Sequence, residues 1–284
     1  MKNFYFKIIL LAFISLAFIS LTTCSEDSGD RGLVFIQGGT FTMGSTDVFD
    51  NASPPHQVTV SSFYMSRYPI VQIQYEAVMG ANPSTSVIGD KHPVETVSWY
   101  DAIVFCNKLS IDHGLRPVYN INNKTNPEDW GPVPTSNDPT WNAAAMAGGA
   151  NGYRLPTEAE LEYACRAGTT TAYNTGDSIN TTQANYGSVV GSTTQAGSYA
   201  PNAYGLYDMH GNVFEWCWDR HGSYGAGHVT NPEGASSGSD RVRRGGSWGS
   251  LVAQLRSAYR VDVGLLGSTP NYRNYNIGFR VVRQ

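Results

Sequence analysis

The chain has 284 residues, a formal net charge of −4 and only 15% charged residues, with 30 glycines and 17 tyrosines. That balance leaves no basic footprint for nucleic acid, and so little charge beside so much Gly and Tyr favours turns and ordered loops over long helices. A single compact domain of about 250 residues can bury a sizeable core, and one such domain behind a leader is the expectation.

At the N-terminus, Lys2 and Lys7 flank a mostly apolar run from Ile8 to Leu21, and Cys24 follows, which are the parts of an export signal. The run is too short for a comfortable membrane span. Leu21-Thr22-Thr23-Cys24 resembles a bacterial lipobox. That resemblance implies a signal peptide over 1–23, lipidation of Cys24, and anchoring on the outer membrane surface of a bacterium. Residues 24–31 then form a short acidic tether. Thr22 and Thr23 are looser than the commonest residues there, as in spirochaetal lipoproteins, which leaves an ordinary cleaved signal with a stray cysteine as the alternative.

The domain proper is expected over 32–284. Gly32 to Ser45 predicts two short strands around a Gly38-Gly39 turn, and Val58 to Tyr64 a further strand. Ile70 to Met79 and Trp99 to Ser110 have helical spacing, the second starting after Ser98 as N-cap and ending before His113-Gly114. Residues 118–151 predict a long ordered loop pinned by Trp130 and Trp141. Thr157 with Glu160 has the capping-box spacing for another helix, and 168–203 is again loop-like.

Without Cys24, three cysteines remain, an odd set that argues against a disulfide framework; Cys106 and Cys165 fall on predicted helices as small buried thiols. Arg241, Arg243 and Arg244 predict a solvated or ion-paired strand edge. Ile277, Phe279 and Val281 alternate with Gly278, Arg280 and Val282, as in a terminal strand with one apolar face. Before it stands Trp248, a ring that wants burial with its N–H bonded. Between these anchors, 249–252 and 261–276 lack any period and set Val261 and other apolar residues among Gly, Ser, Thr, Pro and Asn. They predict a displayed loop surface, with packing onto the domain as the plainer alternative.

Several motifs, in order, resemble formylglycine-generating-enzyme-type domains. They are Gly38-Gly39-Thr40-Phe41-Thr42-Met43-Gly44-Ser45, His92-Pro93-Val94-Glu95-Thr96-Val97-Ser98-Trp99 and Tyr153-Arg154-Leu155-Pro156-Thr157-Glu158-Ala159-Glu160, followed by Asp208-Met209-His210-Gly211-Asn212-Val213-Phe214-Glu215-Trp216, Arg244-Gly245-Gly246-Ser247-Trp248 and Ile277-Gly278-Phe279-Arg280. The resemblance implies an α+β, C-type-lectin-like fold with little regular secondary structure. In members that oxidise cysteine, two copper-binding thiolates follow the Gly-Gly-Ser-aromatic motif; Ser250 and Leu255 stand at those places. The iron-dependent sulfoxide synthases need a close histidine pair, whereas His56, His92, His113, His210, His221 and His228 are scattered, as solvated loop histidines would be. The family's catalytic apparatus is thus expected to be missing. The same resemblance implies a structural Ca²⁺ held by Asp208 and Glu215 with the carbonyls of Gly211 and Val213; the alternative is that both carboxylates cap backbone N–H groups with no ion.

A non-catalytic branch of this fold comprises the variable proteins of diversity-generating retroelements, and the layout here is similar to its treponemal lipoproteins. In that branch the stretch between Arg-Gly-Gly-Ser-Trp and Ile-Gly-Phe-Arg is rewritten by adenine-directed mutagenesis of Asn codons. Randomising both adenines of such codons never yields Gln, Glu, Lys, Met or Trp, and none of these occurs over 249–252 or 261–276. The resemblance implies a variable region over about 241–284. Its ligand-contacting residues are Gly249, Ser250, Leu251, Val252, Asp262, Val263, Gly264, Leu265, Leu266, Asn271, Tyr272, Asn274 and Tyr275, with Leu255 to Arg260 as a fixed island and Trp248, Arg256, Tyr259 and Phe279 as anchors. The expected partner is an extracellular ligand, a protein, and not nucleic acid. An enzyme of the same family with a non-standard site near Ser250, and an invariant structural lipoprotein, are the alternatives.

Overall fold

The computed structural model describes residues 32–86, 89–261 and 267–284. The expected signal peptide, Cys24 and the tether lie outside the described residues, as do Asp262, Val263, Gly264, Leu265 and Leu266 of the tail.

The turn expected at Gly38-Gly39 is instead a bend in one long antiparallel ribbon. Strand β1 (Leu33–Ile36) pairs with β4 (Phe63–Ser66), and β2 (Gly39–Met43) pairs with β3 (His56–Val60). One register runs through both pairs, from Leu33 opposite Ser66 to Met43 opposite His56. At the bend the Ser62 hydroxyl accepts from the Gly38 amide at 3.0 Å and from the Gln37 side chain at 3.1 Å. A Cβ on Gly38 would lie 2.5 Å from the Val60 carbonyl oxygen, so only glycine permits the crossing. The bend sends the ribbon's two halves into separate sheets.

Helix α1 (Gln72–Met79) ends at Gly80, whose left-handed φ of 83° lets its N–H bond the Glu76 carbonyl. Helix α2 (Trp99–Asp112) starts at Ser98 as the sequence predicts, with Ser98 and Asp101 capping each other's amides. It is buried along most of its length because aromatic side chains pack around it: Phe105 stacks on Tyr75 at 5.5 Å and meets the edge of Phe279 at 5.2 Å. The long loop contains the short pair β5 (Tyr119–Asn120) and β6 (Ala145–Met146) around the single turn α3 (Pro139–Asn142). Trp130 and Trp141 do pin it, packed edge to face at 5.7 Å in the main core. Helix α4 (Glu158–Arg166) carries the predicted Thr157–Glu160 capping box.

The remaining strands are β7 (Phe214–Arg220), β8 (Val229–Thr230), β9 (Arg241–Arg244), β10 (Ile277–Gly278) and β11 (Val282–Arg283). They complete three sheets of order β1-β4-β11, β10-β7-β9 and β2-β3-β8. The result is the expected loop-rich α+β arrangement. No helix among the described residues is long and apolar enough to cross a membrane.

Two sequence expectations are corrected here. The terminal segment is not one strand with a wet face: 277–278 pair in parallel with β7, 282–283 pair with β4, and everything from Ile277 to Val282 is buried. Threading between sheets buries both faces, and the Arg280 charge is met inside by Glu215. At β9 the ion-paired reading holds for Arg244, which pairs with Glu162, but the strand edge is not solvated. Arg241 lies 3.7 Å above the Trp99 ring, Arg243 5.1 Å from that of Trp216, and Arg244 donates to the Glu162 carboxylate and to the carbonyls of Ala258 and Tyr259. Ring faces and internal acceptors replace the water that buried guanidinium groups lose.

Candidate functional site

The tail leaves β9 through Gly245-Gly246, both in the left-handed region at φ 89° and 76°. A Cβ on Gly246 would meet Leu255 Cδ1 at 2.9 Å. The glycine pair thus turns the chain tightly enough for Leu255 to fill a small core with Tyr173, Ile179 and Ala184.

Ser250 was expected on the displayed surface, and the structure corrects this: it is 3% exposed. The turn at 247–250 folds it inward, where its hydroxyl accepts from the Ser247 amide at 2.9 Å and its carbonyl accepts from the Gly187 amide at 2.9 Å. Val261 is likewise buried, whereas Leu251 (73% exposed) and Val252 (43%) point outward. Gly249 is exposed, and a Cβ there would make only an ordinary 3.8 Å contact with Ser188 Oγ, so the position admits other side chains.

The second stretch lies over the start of α2. The Pro270 carbonyl accepts from the Trp99 amide at 3.0 Å, the Asn274 carbonyl from the Thr96 amide at 2.9 Å, and Arg273 pairs with Asp101 at 2.8 Å. Asn271, Tyr272 and Asn274 are half-buried rather than freely displayed. Asn271 donates to the Thr135 carbonyl, Asn274 donates to the Tyr272 hydroxyl, and the Tyr272 ring packs on the main core. Tyr275 is 50% exposed, its ring 5.5 Å from that of Trp248. That contact, with the Asn276 amide donating to Ser247 Oγ at 3.2 Å, joins the two stretches into one surface. Trp248 itself is half-buried, and its indole N–H has no partner among the described residues, contrary to expectation.

Sequence reasoning missed the rim of this surface. Residues 186–190 run beside the tail, with the Ser188 amide donating to the Trp248 carbonyl at 2.8 Å, and expose Val189 and Val190. On the other flank Arg256 is paired with Asp47 and Asp50, which brings the 48–50 turn and its exposed Phe49 against the 252–255 turn. The signal available was an unpatterned Val-Val between Gly-Ser pairs at 187–188 and 191–192.

The expected calcium ligands do share one turn, but its two carboxylates already have partners. Both Glu215 oxygens accept from the Arg280 guanidinium, at 2.6 and 2.7 Å, and Asp208 accepts from the Gly197 amide at 2.7 Å. A cation would have to share Glu215 with a like-charged group already bound to it, so the turn does not fit the expected site. Burial pushes the Asp208 carboxyl up to about 6.

His210 is not a solvated histidine, as expected, but a fully enclosed one. Its Nδ1 donates to the Leu255 carbonyl at 2.7 Å and its Nε2 accepts from the Asn174 amide at 3.1 Å, which fixes a neutral ring. Burial pushes its pKa down to about 4. Beside it Cys165 lies 3.6 Å from Ser257 Oγ, its thiol pushed up to about 11 by burial. Cys106, Cys165 and Cys217 are all free and buried. His210 is thus held neutral and the Cys165 thiol protonated, both enclosed against Leu255 and Ser257 of the tail.

A family profile described as the sulfatase-modifying factor enzyme 1-like domain matches residues 22–284. The chain is similar to the chaperone protein LppX of Paenibacillus barcinonensis, 34% identical over 282 residues covering 92% of this chain and 91% of that one. It is also similar to the formylglycine-generating enzyme of Mus musculus, 32% identical over 290 residues, 87% of this chain and 74% of that one. Among solved structures it resembles Treponema denticola variable protein 1, with a TM-score of 0.77 and 35% identity over 88% of this chain and 94% of that one. Profile, relatives and backbone agree, and the chain belongs to the formylglycine-generating-enzyme, or sulfatase-modifying-factor, type of domain.

Proposed function

We propose that this chain is a non-catalytic binding protein, exported and held at the bacterial outer surface by a lipid on Cys24, whose tail contacts a protein ligand and is varied by a retroelement. The observation that carries this reading is the outward projection of Leu251, Val252 and Tyr275 from a floor of buried fixed residues, Leu255, Ser257, Tyr259 and Phe279. Substitution at the outer positions leaves the floor untouched. Exposed apolar and aromatic side chains, flanked by Phe49, Val189 and Val190, form the kind of surface that binds proteins.

The same geometry supports a site without the family's chemistry. Where cysteine-oxidising relatives carry thiolates, this chain has a serine hydroxyl bonded to Ser247 and a leucine in a small core. Neither is a copper ligand. Similarity to the treponemal variable protein supports variation of the tail.

The test is to sequence the 3′ end of the gene, with flanking DNA, from many individual cells. Substitutions concentrated at the codons of Gly249, Leu251, Val252 and Tyr275, beside a nearby Asn-rich template copy and a reverse-transcriptase gene, are expected. One invariant tail and no template would overturn the reading.

A further inference from the structure

A groove of about 590 Å³ opens between β2 and the C-terminal turn of α4, and it shares no residue with the tail surface. Its size falls within the usual range of small-ligand sites, about 300–1,000 Å³. Three half-buried rings line it in a row: Phe41 meets Tyr163 edge-on at 5.3 Å, and Tyr163 lies 6.0 Å from Tyr204.

The rest of the lining is hydroxyl-rich and uncharged in effect. Thr42 Oγ1 accepts from the Gln57 amide at 2.8 Å, which leaves its own O–H to donate. Thr40 shares a hydrogen bond at 2.6 Å with Thr59, whose hydroxyl also bonds His228 Nε2 at 2.8 Å, so the Thr40 hydroxyl still has acceptor capacity toward the groove. Thr169 and Thr170 face them from the end of α4. The cation in the lining, Arg166, is already paired: its charge is met by Glu162, and it donates to the carbonyls of Thr171 and Gly44.

The platform is also held in place before any ligand arrives. The Tyr163 hydroxyl donates to the Gln37 carbonyl at 3.0 Å, and it lies 2.7 Å from where a Cβ on Gly39 would be. Asn202 ties the Tyr204 loop to α4 by donating to the Ala164 carbonyl at 2.7 Å, while its Oδ1 accepts from the Tyr204 amide. A preorganised surface loses little freedom on binding.

These properties discriminate among ligands. An anionic ligand finds no free cation here, and an aliphatic one would cover hydroxyls without bonding them, which is costly. A sugar has apolar C–H faces to lay on aromatic rings and hydroxyls to exchange bonds with Thr and Gln side chains. We propose that the groove between β2 and α4 binds a short neutral oligosaccharide.

The test is to titrate the full chain with maltotriose, cellotriose and triacetylchitotriose, following tyrosine fluorescence and amide NMR shifts. At least one is expected to bind with a Kd on the order of 1 mM or tighter. Binding should weaken at least about tenfold in Thr42→Val, an exposed and nearly isosteric change, and in Tyr204→Ala, and be unchanged in Leu251→Ser. If none of the three binds, if binding survives both groove variants, or if an uncharged Ser/Thr-rich peptide binds there in place of all three sugars, the assignment is wrong.

Discussion

The guanidinium of Arg280 grips both carboxylate oxygens of Glu215, and neither side chain is open to solvent. Removing one partner strands the other, so Arg280→Met should cost about 3–5 kcal/mol in denaturant unfolding. Because Arg280 already neutralises Glu215, excess chelator should leave the melting temperature of the wild type where it is. A fall on chelation that calcium reverses would restore the metal site to this turn.

His210 should make the fold acid-sensitive. Its folded pKa of about 4 lies below the unfolded value of about 6.5, so its contribution to stability is whole above about 6.5 and is lost as the pH falls through 4. The full effect is about 3 kcal/mol. Comparing wild type with His210→Gln in urea between pH 7 and 4 isolates it, and the variant should show the shallower decline.

Tolerance along the tail should follow the inward and outward pattern rather than the residue order. Leu251→Asn, Val252→Ser and Tyr275→Ser should each change stability by no more than about 0.5 kcal/mol. Leu255→Ala should cost about 2–5 kcal/mol, and Ser250→Leu, which forces bulk into a closed turn, about 1–3 kcal/mol. Thermal melts of the five variants check this, and a destabilising Leu251→Asn would contradict the outward assignment.

Native protein should not expose a reactive thiol at Cys165. With burial holding its pKa near 11, a thiol reagent at pH 8 should modify it only after unfolding. Mass spectrometry of the peptide containing Cys165, before and after denaturant, distinguishes the two.

Local signals were legible where neighbours in sequence decide the structure. Ser98 and Thr157 capped the helices that their spacing announced, since a capping box involves only four consecutive residues. The helical cysteines and the pinning tryptophans were readable for the same kind of reason. What misled was partnership over distance. Nothing near Gly38 in sequence reveals that Val60 will press against it, and nothing in Arg241-Val242-Arg243-Arg244 shows that Trp99, Trp216 and Glu162 will enclose those charges. At the site, motif order located the tail, but only the turn at 247–250 decides that Ser250 goes in and Leu251 goes out.

Residues 277–283 close two sheets at once, one piece on β7 and the other on β4. Without that segment β7 keeps only β9, and β4 only β1, as a partner. A chain shifted in frame or cut short before residue 277 would lose both closing pieces, and two sheets would each be left one strand short.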